Sequence, residues 1–297
     1  TTTVGTGFPT YIEVLVVDSY GIGVQGVSVS FSAPGSGSPG AIFNGVDNDE
    51  TVITDFYGYA SVTVSANTTA GYYDIQVSSA AGSEYLSYEN VAGSPASVSI
   101  LSGDGQIVEV GQPYAPMIVQ VLDSYLNPVP GAEVVFSHVS GPETSPLTDT
   151  QYTDVSGEAA SSAFVAGTSV GDVQIDASSG SASVSFFHSN VPGPLASLSV
   201  VGGTGQSALI DEDFSEPVVI MAQDSYGNLV EGATVSFSNT GSPAVIDFSA
   251  YGSSAVTDPN GMAFLSGRAG SVEGTASIIA ESNGVFSSEI TFTITSS

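Results

Sequence analysis

From residue 10 onward the chain alternates, with Ile12, Val14 and Val16 falling on one face. The same spacing returns as Met117, Val119, Val121 and as Val218, Ile220, Ala222. A period of two over such short lengths predicts a half-buried strand. A second strand follows each of these. In the first, Val27, Val29 and Phe31 point inward while Ser28, Ser30 and Ser32 point outward; in the last, Ala233, Val235 and Phe237 alternate with Thr234, Ser236 and Ser238. Further strands are predicted at Tyr73, Ile75, Val77, at Val173, Ile175, Ala177 and at Ala276, Ile278, Ala280, with closing strands over 85–88, 183–187 and 290–294. No stretch carries the 3.6-residue period of a helix.

The strands come in three sets because the chain repeats itself. Asp18-Ser19-Tyr20-Gly21, Asp123-Ser124-Tyr125-Leu126-Asn127 and Asp224-Ser225-Tyr226-Gly227-Asn228 link the first two strands of each set, at intervals of 105 and 101 positions (18 to 123, 123 to 224). A second signature also recurs: Thr54-Asp55-x-x-Gly58-x-Ala60, Thr153-Asp154-x-x-Gly157-x-Ala159 and Thr257-Asp258-x-x-Gly261-x-Ala263. Asp followed by Gly between alternating runs is hairpin chemistry, the carboxylate closing an Asx-turn and the glycine taking positive φ. Even the joints match, Asn90 to Val98 aligning with Asn190 to Leu198. Self-similarity near 100 residues means tandem domains. We assign residues 1–92, 93–192 and 193–297 to three of them. The expected fold is all-β, three immunoglobulin-like sandwiches of about seven strands each. Short Pro/Gly joints place them end to end in an extended array.

The pattern D-x-x-G-N-x-V-x-G-A-x-V-x-F-S followed by T-D-x-x-G-x-A resembles the group 1 bacterial immunoglobulin-like domains. Residues 224–238 and 257–263 match it most fully; Leu126 and Gly21-Ile22-Gly23 depart from it. The resemblance covers all three copies and concerns scaffold residues. Domains of this family form the extracellular rods of intimin- and invasin-type adhesins. It therefore implies a non-enzymatic stalk or fibre at a cell surface, and it transfers no binding residue.

Charge narrows the partners. Thirty acidic residues face one basic residue, Arg268, for a net charge of −29 in 297 residues. That excludes electrostatic binding to nucleic acid or anionic lipid, which needs basic patches. Cations, neutral glycans, surface receptors and copies of the chain itself remain as partners, the last as a head-to-tail homopolymer whose like charges repel. There is no cysteine. No apolar run approaches the ~20 residues that span a bilayer, and the start at Thr1 reads as a chain whose leader has been removed.

Candidate chemistry is sparse. Gly21-Ile22-Gly23-Val24-Gln25-Gly26 matches G-x-G-x-x-G, but a strand rather than a helix is expected after it, so it reads as turn glycines. Single recurring aspartates at separated turns read as turn formers. The denser groups Asp47, Asp49, Glu50 and Asp211, Glu212, Asp213 are weak calcium candidates in loops, without EF-hand spacing. His138 and His188, the only imidazoles, lie in strands without a nucleophile elbow, and no catalytic set is expected. Asn67-Thr68-Thr69 is an N-x-T sequon. Tyr57, Tyr59, Tyr72 and Tyr73 are the one hint of a glycan-binding surface in the variable loops.

Domain 1 differs from its sisters. The second and third copies open with strands over 96–101 and 196–201, and the first copy shows no equivalent, either because the sequence begins inside the domain or because that domain has a short edge. An unpaired sheet edge is a template for another strand. Donation of Thr1, Thr2, Thr3, Val4, Gly5, Thr6 and Gly7 into a neighbouring copy is the assembly route expected from β-strand addition.

Overall fold

The computed structural model describes residues 1–241 and 243–296. It holds three β-sandwiches in series, each around its own core. In domain 2 the five-stranded sheet runs Ile107–Glu109, Ala182–Val191, Gly171–Ser179, Glu133–Ser140, Thr148–Tyr152, and it faces a three-stranded sheet of Ser97–Ser102, Ile118–Leu122 and Glu158–Ala160. Domain 3 repeats this with Leu195–Gly202, Val218–Asp224 and Met262–Leu265 as its three-stranded layer. In domain 1 the corresponding layer contains two strands, Ile12–Leu15 and Tyr59–Val62.

Alternation fixes which side of each strand is dry. Val134 and Phe136 from one layer and Met117, Val119 and Val121 from the other are all buried in the core of domain 2. Domain 3 is built alike around Ile220, Val235, Phe237 and Ile278, and domain 1 around Val29, Phe31 and Ile75. Val14 and Val16 are only partly buried, whereas their counterparts Val119 and Val121 are fully so. The difference is the strand Ser97–Ser102, which pairs antiparallel with Ile118–Leu122 and lies across the sandwich mouth.

Strand segments outnumber the seven expected per copy because long strands break where they change partners. Tyr59–Val62 pairs with Ile12–Leu15, while Val64–Ala66, one residue on, pairs with Ala41–Phe43. In each domain an early short strand lies parallel to the last one: Thr2–Thr3 beside Asn90 and Val91, Ile107–Glu109 beside Ser189 to Val191, Ser207–Leu209 beside Thr293 to Thr295.

The second signature is a staple. Thr153 Oγ1 accepts from Ala132 N (2.8 Å) and donates to Val129 O (2.6 Å), and Thr54 and Thr257 make the same pair of bonds. Asp154 Oδ1 then accepts from Ser156 N and Glu158 N, closing the turn before the next strand. Gly157 follows at φ +73°, where a Cβ would lie 2.6 Å from Val121 O.

Candidate functional site

The Asp-Ser-Tyr turn sits at one pole of each domain, and in domains 2 and 3 the preceding domain meets it there. Asp123 is almost completely buried. Its Oδ1 accepts from Tyr125 N (2.8 Å) and Asn127 N (2.9 Å), which shapes the turn. Its Oδ2 accepts from Gly93 N (2.8 Å), in the linker between domains 1 and 2. Asn127, held against both carboxylate oxygens, reaches back into domain 1: its Nδ2 donates to Thr68 O (2.9 Å) and its Oδ1 accepts from Ala70 N (2.9 Å).

The second joint repeats the first. Asp224 accepts from Tyr226 N, Asn228 N and the linker's Gly193 N. Asn228 donates to Thr168 O (2.9 Å) and accepts from Val170 N (3.3 Å) of domain 2. The tyrosine of the turn completes each contact. Tyr125 lies against Gly5 and Tyr226 against Gly111 so closely that a Cβ there would meet the hydroxyl at 2.7 and 2.8 Å. Burial alone would raise the pKa of Asp123 and Asp224, but hydrogen bonds from the asparagine, the linker amide and the turn amides outweigh it. Both carboxyls are held below their ordinary value.

The outer poles lack these parts. In domain 1, Asp18 still accepts from Tyr20 N and Ile22 N, but Ile22 stands where Asn127 and Asn228 stand in the sisters, and both Tyr20 and Ile22 are exposed. In domain 3 the position of Gly5 and Gly111 is taken by Asp211, at φ +60°. Arg268 Nε donates to Asp211 O, and the backbones of Asp213 and Arg268 form an isolated antiparallel β-bridge.

The other candidate residues disperse. Asp49 and Glu50 are neighbours on one strand, opposite Ser32 and Phe31, so they point to opposite faces and do not converge on an ion. Asp47 Oδ1 accepts from Asn48 N. Glu212 N closes a turn onto Leu209 O. Among the described residues no group of three or more His, Cys, Asp or Glu is placed to hold a metal. Asn67 is half-buried beside the first joint, and its Nδ2, the atom a glycan would occupy, donates to Ser38 O (2.7 Å). Tyr73 lies in the core, stacked on Tyr88, while Tyr72 and Tyr59 are outward on different sheets. The four tyrosines therefore form no common face. The G-x-G-x-x-G stretch is a turn, with Gly23 bridging back to Val17. Residues 1–7 belong to domain 1's own fold: Thr2–Thr3 pairs with Asn90 and Val91, Val4 is buried, and Gly5 N donates to Asn67 O. The donor role expected of them would require them to leave that sheet.

His188 is a core residue. Its Nδ1 accepts from Gln106 N (3.3 Å) and its ring packs 4.8 Å from Tyr114. Burial lowers its pKa, with Asp104 opposing. As pH falls, the unfolded chain binds this proton before the folded one does, so stability drops below about pH 6.5. We expect the melting temperature of domain 2 to decline between pH 7.5 and 5.5 in calorimetry, and His188→Gln to flatten that decline.

No protein-family model and no curated protein matches the sequence. Among solved structures the chain is similar to FdeC, an Escherichia coli adhesin, at 16% identity over 99% of this chain and 94% of that one, with a TM-score of 0.61. It is also similar to InvD of Yersinia pseudotuberculosis, at 13% identity over 95% and 91% of the two chains, with a TM-score of 0.52. At these identities the likeness is one of fold. The chain is a row of three immunoglobulin-like sandwiches.

Proposed function

We propose that the chain is a non-enzymatic extracellular rod, a segment of a cell-surface fibre that serves adhesion or spacing. The observation that carries this reading is the joint, built twice from the same side chains. A flexible string of domains needs only a linker. Here a buried aspartate is bonded to the linker amide and an asparagine is bonded to the previous domain's backbone, at both junctions. Such contacts fix one domain's orientation on the next. The fold it shares with the adhesin FdeC agrees with a place at the cell surface.

End-to-end association of copies, as part of this proposal, would use other contacts. The free turn of domain 1 offers Ile22 in place of the asparagine hook, and the far pole of domain 3 offers Asp211 where a tyrosine hydroxyl needs glycine.

The test is the double variant Asn127→Ala, Asn228→Ala. Each asparagine makes two bonds to the previous domain and one to the buried aspartate, so the following domain should lose about 2 kcal/mol and still fold. Small-angle scattering should nonetheless show a broader distribution of end-to-end distances than for the parent. A parent that already samples a broad distribution would remove the rod reading.

A further inference from the structure

A cleft of about 580 Å³ opens at the first joint. One wall belongs to domain 1 and carries Tyr72, Glu89 and Val91; the other belongs to domain 2 and carries Pro128, Pro130 and Val155. Clefts of this size between domains are a usual place for a ligand. The asparagine hook frames it, because Asn127 Oδ1 accepts from Ala70 N and Ala70 lines the same cleft. The joint therefore holds the two walls at a set distance.

The walls differ in kind. Gly71–Ser79 and Gly82–Val91 pair antiparallel with Tyr72 directly opposite Glu89. Tyr73 is buried in the core, so its neighbour Tyr72 points out and is largely exposed. A hydrogen bond to Glu89 and the charge of that carboxylate raise the pKa of the Tyr72 hydroxyl. Opposite them, Pro128, Pro130 and Val155 are exposed and carry no polar side-chain atom, and the prolines have no N–H. The second joint is built otherwise. Asp172, Ser189, Leu229, Glu231 and Pro259 stand where Tyr72, Glu89, Pro128, Pro130 and Val155 stand in the first, and Asp172 already accepts from Ser189 Oγ.

This pairing of walls selects the occupant. Glu89 has no basic residue to pair with in domains 1 and 2, since Arg268 of domain 3 is the only one in the chain. Covering that carboxylate without a positive group is costly. An exposed tyrosine ring also attracts a cation over its face. A neutral sugar would stack on Tyr72 and donate to Glu89, but its remaining hydroxyls would face the prolines and valine, which offer them no partner. Lysine and arginine join an aliphatic stem to a cationic head.

We infer that the cleft receives a lysine or arginine side chain of another protein, its stem against Pro128, Pro130 and Val155 and its head between Glu89 and the Tyr72 ring. A net charge of −29 steers such a partner toward the chain. A second copy does not supply the side chain, because Arg268 Nε donates to Asp211 O within its own domain. The inference rests on the fixed joint of the rod reading.

The test uses the whole chain, labelled with nitrogen-15, and three peptides of sequence Gly-Ser-X-Ser-Gly in which X is lysine, arginine or norleucine. Norleucine keeps the stem and lacks the charge. Amide signals of residues 72, 89, 91 and 155 should shift on titration, with the lysine and arginine peptides binding about threefold tighter than the norleucine peptide, the range of an exposed charge pair. Glu89→Gln should erase that preference and leave the domain folded, since Glu89 is only half-buried and lies outside the core. No saturable shift, or shifts spread over the acidic loops instead of the cleft, would overturn the site. Equal binding of the lysine and norleucine peptides would overturn the basic partner. Stronger shifts of the same signals by maltotriose would assign the cleft to a glycan, and concentration-dependent shifts without peptide would assign it to a second copy; either overturns the inference. Scattering separates the two readings: a narrow end-to-end distribution without peptide binding removes this inference alone, and a broad one removes the rod.

Discussion

Asp123→Ala should destabilise domain 2 by roughly 3–5 kcal/mol, since hydrogen bonds to a charged acceptor contribute about 1.5–3 kcal/mol each and their donors are left buried. The side chain accepts from Gly93 N, Tyr125 N, Asn127 N and Asn127 Nδ2, and the three backbone amides make no other hydrogen bond. Calorimetry should show the loss in domain 2, and hydrogen exchange should show Gly93 unprotected. Asp18→Ala is the comparison. Its carboxylate shapes the same turn through two exposed bonds, so the loss should be about 1 kcal/mol. Acid should mimic the substitution. The folded carboxyl titrates below its unfolded value, so this stability is present above about pH 4 and is lost as pH falls through the lowered folded value.

Gly157→Ala should cost about 3 kcal/mol, and Gly131→Ala only about 1 kcal/mol, although both glycines sit at nearly the same φ (+73° and +69°). The left-handed backbone penalises both equally. The rest is contact: around Gly131 there is open space, whereas a Cβ on Gly157 meets Val121 O at 2.6 Å. Val121 is held on both sides, its N donating to Gly157 O and its O accepting from Val129 N, so neither it nor the turn can retreat alone. Comparing the two melting temperatures isolates the close approach from the conformational preference. Equal losses would mean that the turn yields.

Much of this architecture was legible in the sequence because alternation reports burial directly. Phe31 and Phe237 are predicted inward and are core residues. The two recurring signatures are visible for the same reason: turns that need Asp and Gly at set steps leave them there. The joint was not read, because half of each contact is backbone. Thr68, Ala70, Thr168 and Val170 contribute carbonyls and amides, which any residue carries. A faint signal exists nonetheless. The asparagine appears in the two copies whose aspartate follows a linker glycine by 30 or 31 positions (93 to 123, 193 to 224), and the first copy has Ile22 in its place. Tyr73 was misjudged for a related reason: adjacent tyrosines look alike in sequence, yet consecutive residues of a strand face opposite ways.

The parallel pairing of an early and a last strand in every domain bears on how the molecule answers a pull. In domain 2 the chain enters through Ser97–Ser102 and leaves at Val191, so tension at its two ends, once it has drawn out that opening strand, drags Ile107–Glu109 and Ser189 to Val191 past each other along their length. The bonds between them lie across that direction and are loaded together, in shear, instead of being peeled apart one after another. Domains 1 and 3 present the same arrangement through Thr2–Thr3 and Ser207–Leu209. Under load the series therefore yields first at the joints, where a few side-chain bonds act alone, and each sandwich stays closed until its terminal pair slips as a unit.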